Sequence, residues 1–334
     1  MEVGEHELID LIRKAVGGPS GATLVGIGDD AAVYEPTGEL ALLTCDAFVE
    51  DVHFRRSFAA FGLIGAKFVI SNVSDIAAMG GFPTHAVVSL GVPGDMSAAD
   101  VERLYAGMLD AARRYGVEIV GGDIVASRSG LLASVAMVGT VSRERVVTRA
   151  GAVVGDVVLT TGRFGGSEAG LKSLTEGLKN TGLVRAAMRR HLEPVARIAE
   201  AQALIDVATP HAMIDVSDGL ASEVRHLADE SGVGMRIHRD RIPVAPEAVE
   251  VGRILGIDPL ELALGSGEEF ELLVTIPASE AERTIEHVSA VTGTAVTCIG
   301  EVTERLERCI MVDPRGDEEP LPRVGYEHLA APRN

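Results

Sequence analysis

Five apolar stretches of this chain run directly into aspartate. They read GDD (Asp29, Asp30), TCD (Asp46), NVSD (Asp75), VGGD (Asp123) and IDVSDG (Asp215, Asp218). The residues before each acid are of the kind that folding buries. A carboxylate carried inward by such neighbours is costly to desolvate unless it is paired or coordinates a metal. None of the five has a Lys or Arg two to four residues away on the same short element. A fold that gathers these element ends around a shared cation answers that constraint. Oxygen-only ligands favour Mg²⁺, Ca²⁺ or Mn²⁺ over zinc or copper. Taken singly, each acid is also an ordinary turn or cap residue, Asp218 in SDG most clearly.

The elements carrying these acids alternate between the two hydrophobic periods. Residues 5–16 pattern as a short amphipathic helix, and LALLTC (40–45) as a buried strand ending at Asp46. A helix is expected over 60–80 and stopped by Pro83, followed by the strand THAVVSLGV. Residues 97–115 form a further helix, with Ser97 as N-cap and Gly116 just past its end. VEIVGGD and LLASVAMVGTV then read as strands. RERVVTRAGAVVGD shifts the composition near 141–156 and leads into VVLTTG (157–162), which places a domain boundary between 1–142 and 143–334.

The second half repeats the mixture. Helices are expected near 166–178, 184–209, 219–231 and 279–292. Strands are expected up to MIDVSDG, near 233–238 and 270–276, and in a final pair. Two mixed α/β domains of an α+β chain follow, with neither a bundle nor an all-β fold. The 334 residues suffice for two cores.

Charge and cysteine usage remove several function classes. The formal net charge of −19 disfavours non-specific binding to nucleic acid or membranes. An anionic substrate is compatible with it only if cations mediate the contact. Cys45, Cys298 and Cys309 form no CxxC pair, so neither a disulfide framework nor a zinc site is indicated. No basic and apolar leader opens MEVGEHELIDLI, and no run of about 18 apolar residues occurs, which makes the cytoplasm the expected compartment.

Nucleotide motifs are near misses. GGSEAGLKS (165–173) has Leu171 where a P-loop needs Gly before Lys, so Lys172 reads as a solvated helix residue. GIGDD lacks the third glycine of a dinucleotide fingerprint, and no strand is evident before it. HExxH and GxSxG are absent, and His53 stands alone. Cys45, inside an apolar strand, reads as a packing residue.

In order and spacing, the segments GIGDDAAV, LLTCDAFVEDVHF, KFVISNVSDIAAMGGFP, VEIVGGDIV, TRAGAVVGDVVLTTG, IDVSDGLASEVRHLADESGVG and GSGEEFELL resemble one family, thiamine-monophosphate kinase. The resemblance runs from GEHELI to GYEH. It implies ATP-dependent phosphorylation of thiamine monophosphate to thiamine diphosphate, with several Mg²⁺ ions. It also implies a synthetase-like fold and a homodimer formed by the N-terminal domains. The family's metal positions fall on Asp30, Thr44, Cys45 through its carbonyl, Asp46, Asp75, Asp123, Asp215 and Asp218. Its nucleotide contacts fall on Tyr105, Gly122, Asp123, Arg149 and Ser217, and its substrate contacts on His53, Glu268 and Tyr326. Catalytic roles are thereby implied for Asp46, Asp75, Asp123 and Arg149. Two departures stand out: GEEFE places Glu269 and Phe270 where the family has Asp and Tyr, and Cys45 stands where it has Thr.

The same superfamily includes aminoimidazole ribonucleotide synthetase, an alternative that stays open. Its selenide water dikinase would want a reactive Cys near residues 1–25, and its hydrogenase-maturation member a C-terminal cysteine; neither is present. A different class, a non-enzymatic acidic Ca²⁺-binding module, leaves the basic segment 143–149 unexplained and offers no EF-hand loop.

Overall fold

The computed structural model describes residues 23–25, 32–37, 39–179, 181–304 and 309–327. The helix expected over 5–16, and the acids Asp29 and Asp30, lie outside the described residues. Two mixed sheets organise the chain. The first has strands β1 (Thr23–Val25), β2 (Ala32–Thr37), β3 (Glu39–Val49), β4 (Phe82–Pro93), β5 (Glu118–Ser127) and β6 (Leu132–Val141), in the order β1-β2-β3-β6-β4-β5. The second has β7 (Asp156–Thr161), β8 (Ala212–Asp215), β9 (Gly234–His238), β10 (Leu272–Pro277), β11 (Val296–Thr303), β12 (Cys309–Val312) and β13 (Glu318–Pro320), in the order β13-β12-β9-β11-β7-β10-β8.

Register decides which way the acids of the first sheet point. β3 pairs antiparallel with β6 from Leu40 opposite Val141 to Val49 opposite Leu132. Residues two apart on a strand share a face. Thr44, Asp46 and Phe48 therefore look one way, toward helix α1 (Phe61–Ala78), while Cys45 and Ala47 look the other. β3 does not stop at Asp46; it continues to Val49, because the ladder with β6 carries it on.

Helix α1 is the centre of the molecule. Most of its residues are buried, including Phe68, Val69, Val73 and Ile76 in the first core. By length and composition it could cross a membrane, yet 72% of its apolar window is buried inside the protein. Its second face meets the second domain, where Ser74 Oγ donates to Asp215 Oδ2 at 2.6 Å. The helix ends before Pro83, at Ala78, and Gly80 turns the chain with a φ of +74°. Pro83 lies inside β4.

Helix α2 (Ala98–Tyr115) has the expected ends. Ser97 and Asp100 form a reciprocal capping box, and Gly116 closes it in the left-handed conformation. It lies against α1 with almost no gap. A Cβ on Gly107 would stand 1.8 Å from Gly62 O, and one on Gly65 would stand 2.0 Å from Leu104 O. Neither backbone can move without unseating the core between helix and sheet. Gly107→Ala is expected to cost roughly 3 kcal/mol, read as a lowered urea midpoint at unchanged slope; an unshifted midpoint would show that the crossing has slack.

In the second domain the expected helix over 184–209 is two helices, Gly182–Leu192 and Ile198–Val207, because Pro194 cannot continue the first. Two helices absent from the sequence reading, Pro246–Leu255 and Pro259–Gly265, both open with proline in the first turn. β10 begins at Leu272 rather than 270, since Glu268 and Phe270 have φ of +56° and +52° and break the extended chain. After the helix Ala281–Thr292 three strands follow, β11, β12 and β13, where a final pair was expected. A strand, β1, does precede Gly26, contrary to the reading of GIGDD; it is only three residues long, too short for its pattern to show.

Candidate active site

A cleft of about 840 Å³ opens where α1 and the end of β3 face the second domain. Its walls bring together Cys45, Asp46, His53 and Asp75 from the first domain with Ser217, Asp218, Glu268 and Tyr326 from the second. Thr44 is buried just behind the wall, and its Oγ1 donates to Asp75 Oδ2 at 2.5 Å. Asp215 is buried beside α1, where it accepts from Ser74. Thus a strand face and a helix face converge on one set of carboxylates.

The second-domain wall is built by an interlocked pair of loops. Val216 N donates to Glu271 O, Glu268 N to Ser217 O and Phe270 N to Val216 O. Tyr326 N donates to Asp218 O at 2.9 Å, which hangs the C-terminal aromatic on the same loop. Left-handed backbone at non-glycine residues costs of order 1–3 kcal/mol each and concentrates at functional sites. Here it falls on Asp51, Glu268 and Phe270, all three on the cleft wall.

Carboxyl groups crowd beneath the Ser217–Asp218 loop. Glu223, fully buried on the helix Leu220–Ser231, accepts from Asp218 N at 3.0 Å. Burial, and then the Asp218 and Asp215 carboxylates, push the Glu223 carboxyl well above its usual range, against the pull of the Arg149 guanidinium. Crowded oxygen donors of this kind suit a hard divalent cation. Among the described residues, no three His, Cys, Asp or Glu side chains enclose an ion by themselves.

Four further residues lie off the cleft wall in the single chain. Tyr105 is on α2, half-buried against the first core, and burial raises its phenol above the ordinary value. Gly122 and Asp123 are on the edge strand β5, which is exposed over most of its length. A side chain at Gly122, whose φ is +155°, would meet Val88 O at 1.8 Å, so only glycine lets β5 lie on β4 there. Asp123 accepts from Ile124 N at 2.9 Å. Arg149 sits in the connection between the sheets, where its carbonyl accepts from Ser231 Oγ.

The two departures resolve differently. Glu269 does not face the cleft. It is buried, accepting from Ser167 N, Ser266 Oγ and Arg190 Nη2 at 3.0, 2.7 and 2.9 Å, so it caps the start of helix Gly166–Thr175. Phe270 does line the cleft and is nearly buried. Cys45 corrects its reading as a packing residue: it is exposed, with Sγ 3.3 Å from Ser134 Oγ, because it sits on the opposite face of β3 from Thr44.

Among the wall residues not singled out from sequence are Lys67, Ser167 and His191. Lys67 was visible in principle as a lysine inside an otherwise apolar helix. His191 had no signal, since RRHLEP reads as a helix end. Burial, and then the Lys67 ammonium, push the His191 imidazole down to about 4. An unfolded chain would titrate it near 6.5. The unfolded state therefore takes up the proton first, and the stability tied to a neutral His191 is complete above about 6.5 and is lost as pH falls toward 4. His191→Gln is expected to flatten the acid loss of stability across that window by roughly 3 kcal/mol. Urea midpoints at several pH values check this; parallel wild-type and variant curves would remove His191 from the acid response.

Comparison with known proteins places these features in a family. Residues 28–141 match the AIR synthase related protein N-terminal domain, and residues 153–312 match the AIR synthase related protein C-terminal domain. The thiamine-monophosphate kinase of Aquifex aeolicus is 39% identical over 277 residues, 83% of this chain and 87% of that one. Its counterpart in Bacillus subtilis is 33% identical over 309 residues, 91% and 93% of the two chains. Among solved structures, AaThiL complexed with AMPPCP and TMP superposes with a TM-score of 0.85 at 36% identity, over 98% of this chain and 97% of the other. This chain belongs to the thiamine-monophosphate kinase family.

Proposed function

We propose that this chain transfers the γ-phosphoryl group of ATP directly to thiamine monophosphate, giving thiamine diphosphate, in the cytoplasm and as a homodimer. The likeness to AaThiL with AMPPCP and TMP, over nearly the whole chain, carries this reading. Both reactants are anions, and their phosphates repel at reaction distance. Asp46, Asp75, Asp123, Asp215 and Asp218, with Thr44, the Cys45 carbonyl and Asp30, would hold Mg²⁺, which when bound neutralises that repulsion.

The acceptor is a phosphate oxygen, already ionised near neutral pH, so no general base is needed. Catalysis then rests on in-line positioning and charge neutralisation. Ser217 and Arg149 serve the nucleotide phosphates, with Tyr105 and Gly122 as further nucleotide contacts. His53 is a substrate contact. Its Nδ1 accepts from Val49 N at 2.9 Å, so the neutral ring carries its proton on Nε2 and presents a donor there. Glu268 and Tyr326 receive the acceptor from the second domain.

The exposed apolar side chains of β5 support the dimer. Val120, Ile124 and Val125 are 58%, 58% and 55% exposed on the strand that carries Gly122 and Asp123. A second copy across this strand would cover them and bring new walls to the nucleotide residues that lie off the cleft.

The test is ADP release coupled to chromatographic detection of thiamine diphosphate. Product is expected only with ATP, Mg²⁺ and thiamine monophosphate together; ADP release without thiamine diphosphate would sink the assignment. Calorimetry showing Ca²⁺ affinity without any nucleotide dependence would favour the binding-module alternative.

A further inference from the structure

Lys67 is out of place on helix α1. It is 5% exposed on a helix otherwise packed into two cores. A buried ammonium is costly unless it is paired, and this one is. Its Nζ donates to Glu268 Oε2 at 2.5 Å, across the domain boundary. His191 Nδ1 stands 3.5 Å from the same oxygen and 3.2 Å from Ser167 Oγ. Both described contacts fall on Oε2, which leaves Oε1 for a ligand. Glu268 keeps about a quarter of its side chain accessible, whereas Lys67 and His191 are nearly closed off.

The position of this group along the cleft says what it can meet. Lys67, Ser71 and Asp75 line the cleft at a spacing of four residues, which is one face of a helix. Eight residues separate Lys67 from Asp75, or about 12 Å along the axis. The carboxylates that draw phosphate through cations are at the Asp75 end. An acceptor with its phosphate there presents its far end to Glu268. In thiamine monophosphate the far end is a pyrimidine ring bearing an amino group, a hydrogen-bond donor that a carboxylate oxygen can accept.

We propose that Lys67 is a positioning residue for acceptor selection: it clamps Oε2 of Glu268 so that Oε1 meets the amino group of the acceptor's pyrimidine. This rests on the reading of the cleft as the thiamine monophosphate site. The clamp also balances charge, since the acceptor brings a cationic thiazolium and an unpaired lysine in the cleft would repel it. His191, held neutral, fills the remaining side of Oε2 without adding charge.

The test uses the full chain with Lys67→Met, Lys67→Arg, Glu268→Gln and the double variant K67M/E268Q. Two acceptors serve as probes: thiamine monophosphate, and the phosphorylated hydroxyethylthiazole that lacks the pyrimidine. K67M is expected to raise KM for thiamine monophosphate about tenfold or more, the loss of one charge-assisted contact. Its kcat should stay within about threefold and its KM for ATP unchanged, as for a purely ground-state contact. K67R should restore most of the affinity, and the truncated acceptor should not distinguish K67M from wild type.

Because Lys67 is argued to act only through Glu268, K67M/E268Q should have a KM no higher than that of E268Q, in which the lone lysine repels the thiazolium. The double variant leaves no buried charge unpaired, so this comparison survives even if K67M alone fails to fold. A normal KM in folded K67M, an equal rise in KM for ATP, or a further penalty from K67M on top of E268Q would overturn the proposal. Wild-type protein that makes no thiamine diphosphate would instead overturn the functional reading beneath it.

Discussion

Asp75→Asn is expected to lower kcat at least about a hundredfold, the scale of losing one preorganised electrostatic group in an active site. The folded state should be nearly untouched. Asp75 is on the eighteen-residue helix α1, and it accepts a hydrogen bond from Thr44 Oγ1. An asparagine amide oxygen of the same shape keeps that bond. What it removes is the charge facing the cleft, where Asp46 and Asp218 also stand. Coupled ADP release measures the rate, and a thermal melt measures the fold. A variant within threefold of wild type would take Asp75 out of the reaction. A variant that melts far below wild type would mean that its role is structural.

Arg197→Met is expected to destabilise the protein by about 3–5 kcal/mol while leaving the chemistry of the cleft alone, because it breaks a buried ion pair from one side. Arg197 Nη2 and Nε donate to Glu271 Oε1 and Oε2 at 2.6 and 2.8 Å, and its Nη1 donates to Glu200 at 3.1 Å. Glu271 is fully buried, with Thr161 Oγ1 donating to Oε2 at 2.6 Å. Without the guanidinium, Glu271 keeps one hydroxyl and a distant Arg190 at 3.8 Å. Chemical denaturation gives the difference directly. A loss under about 1 kcal/mol would show that Arg190 moves in to replace it. Replacing both Arg197 and Glu271 by apolar residues should recover part of the loss, since Glu200, which keeps the Thr294 Oγ1 donor, is then the one carboxylate of this group without its cation.

The first-domain wall of the cleft was partly legible in the sequence. Apolar runs ending in acids marked Asp46 and Asp75, and the strand period explains why Thr44 accompanies Asp46. The capping box of α2 was equally legible, because every partner lies within four residues. Arg197 with Glu271, and Lys67 with Glu268, were not legible. Each pair is separated by 74 or 201 positions, and only the tertiary fold joins them. Glu269 shows a third case. GEEFE marked it only as a departure from the family's Asp, and a backbone with φ of +56° at Glu268 and +52° at Phe270 turns it inward to a helix start. Local pattern reports period and caps; it has no access to a left-handed residue that is not glycine.

Helix α1 has a consequence for what the cleft can accommodate. A site built on loops can lengthen or shorten by small shifts, but one laid along a helix is graduated. Lys67, Ser71 and Asp75 are marks on a ruler whose divisions are fixed at about 5.4 Å per turn. Removing one residue between the marks would swing one of them about a quarter-turn out of the cleft rather than draw the two ends closer. Adapting this enzyme to a shorter or longer acceptor would therefore require a whole turn of α1 at a time, with matching changes in both domains packed around it. Point substitutions can alter which groups are read at each end, but not the length that is measured.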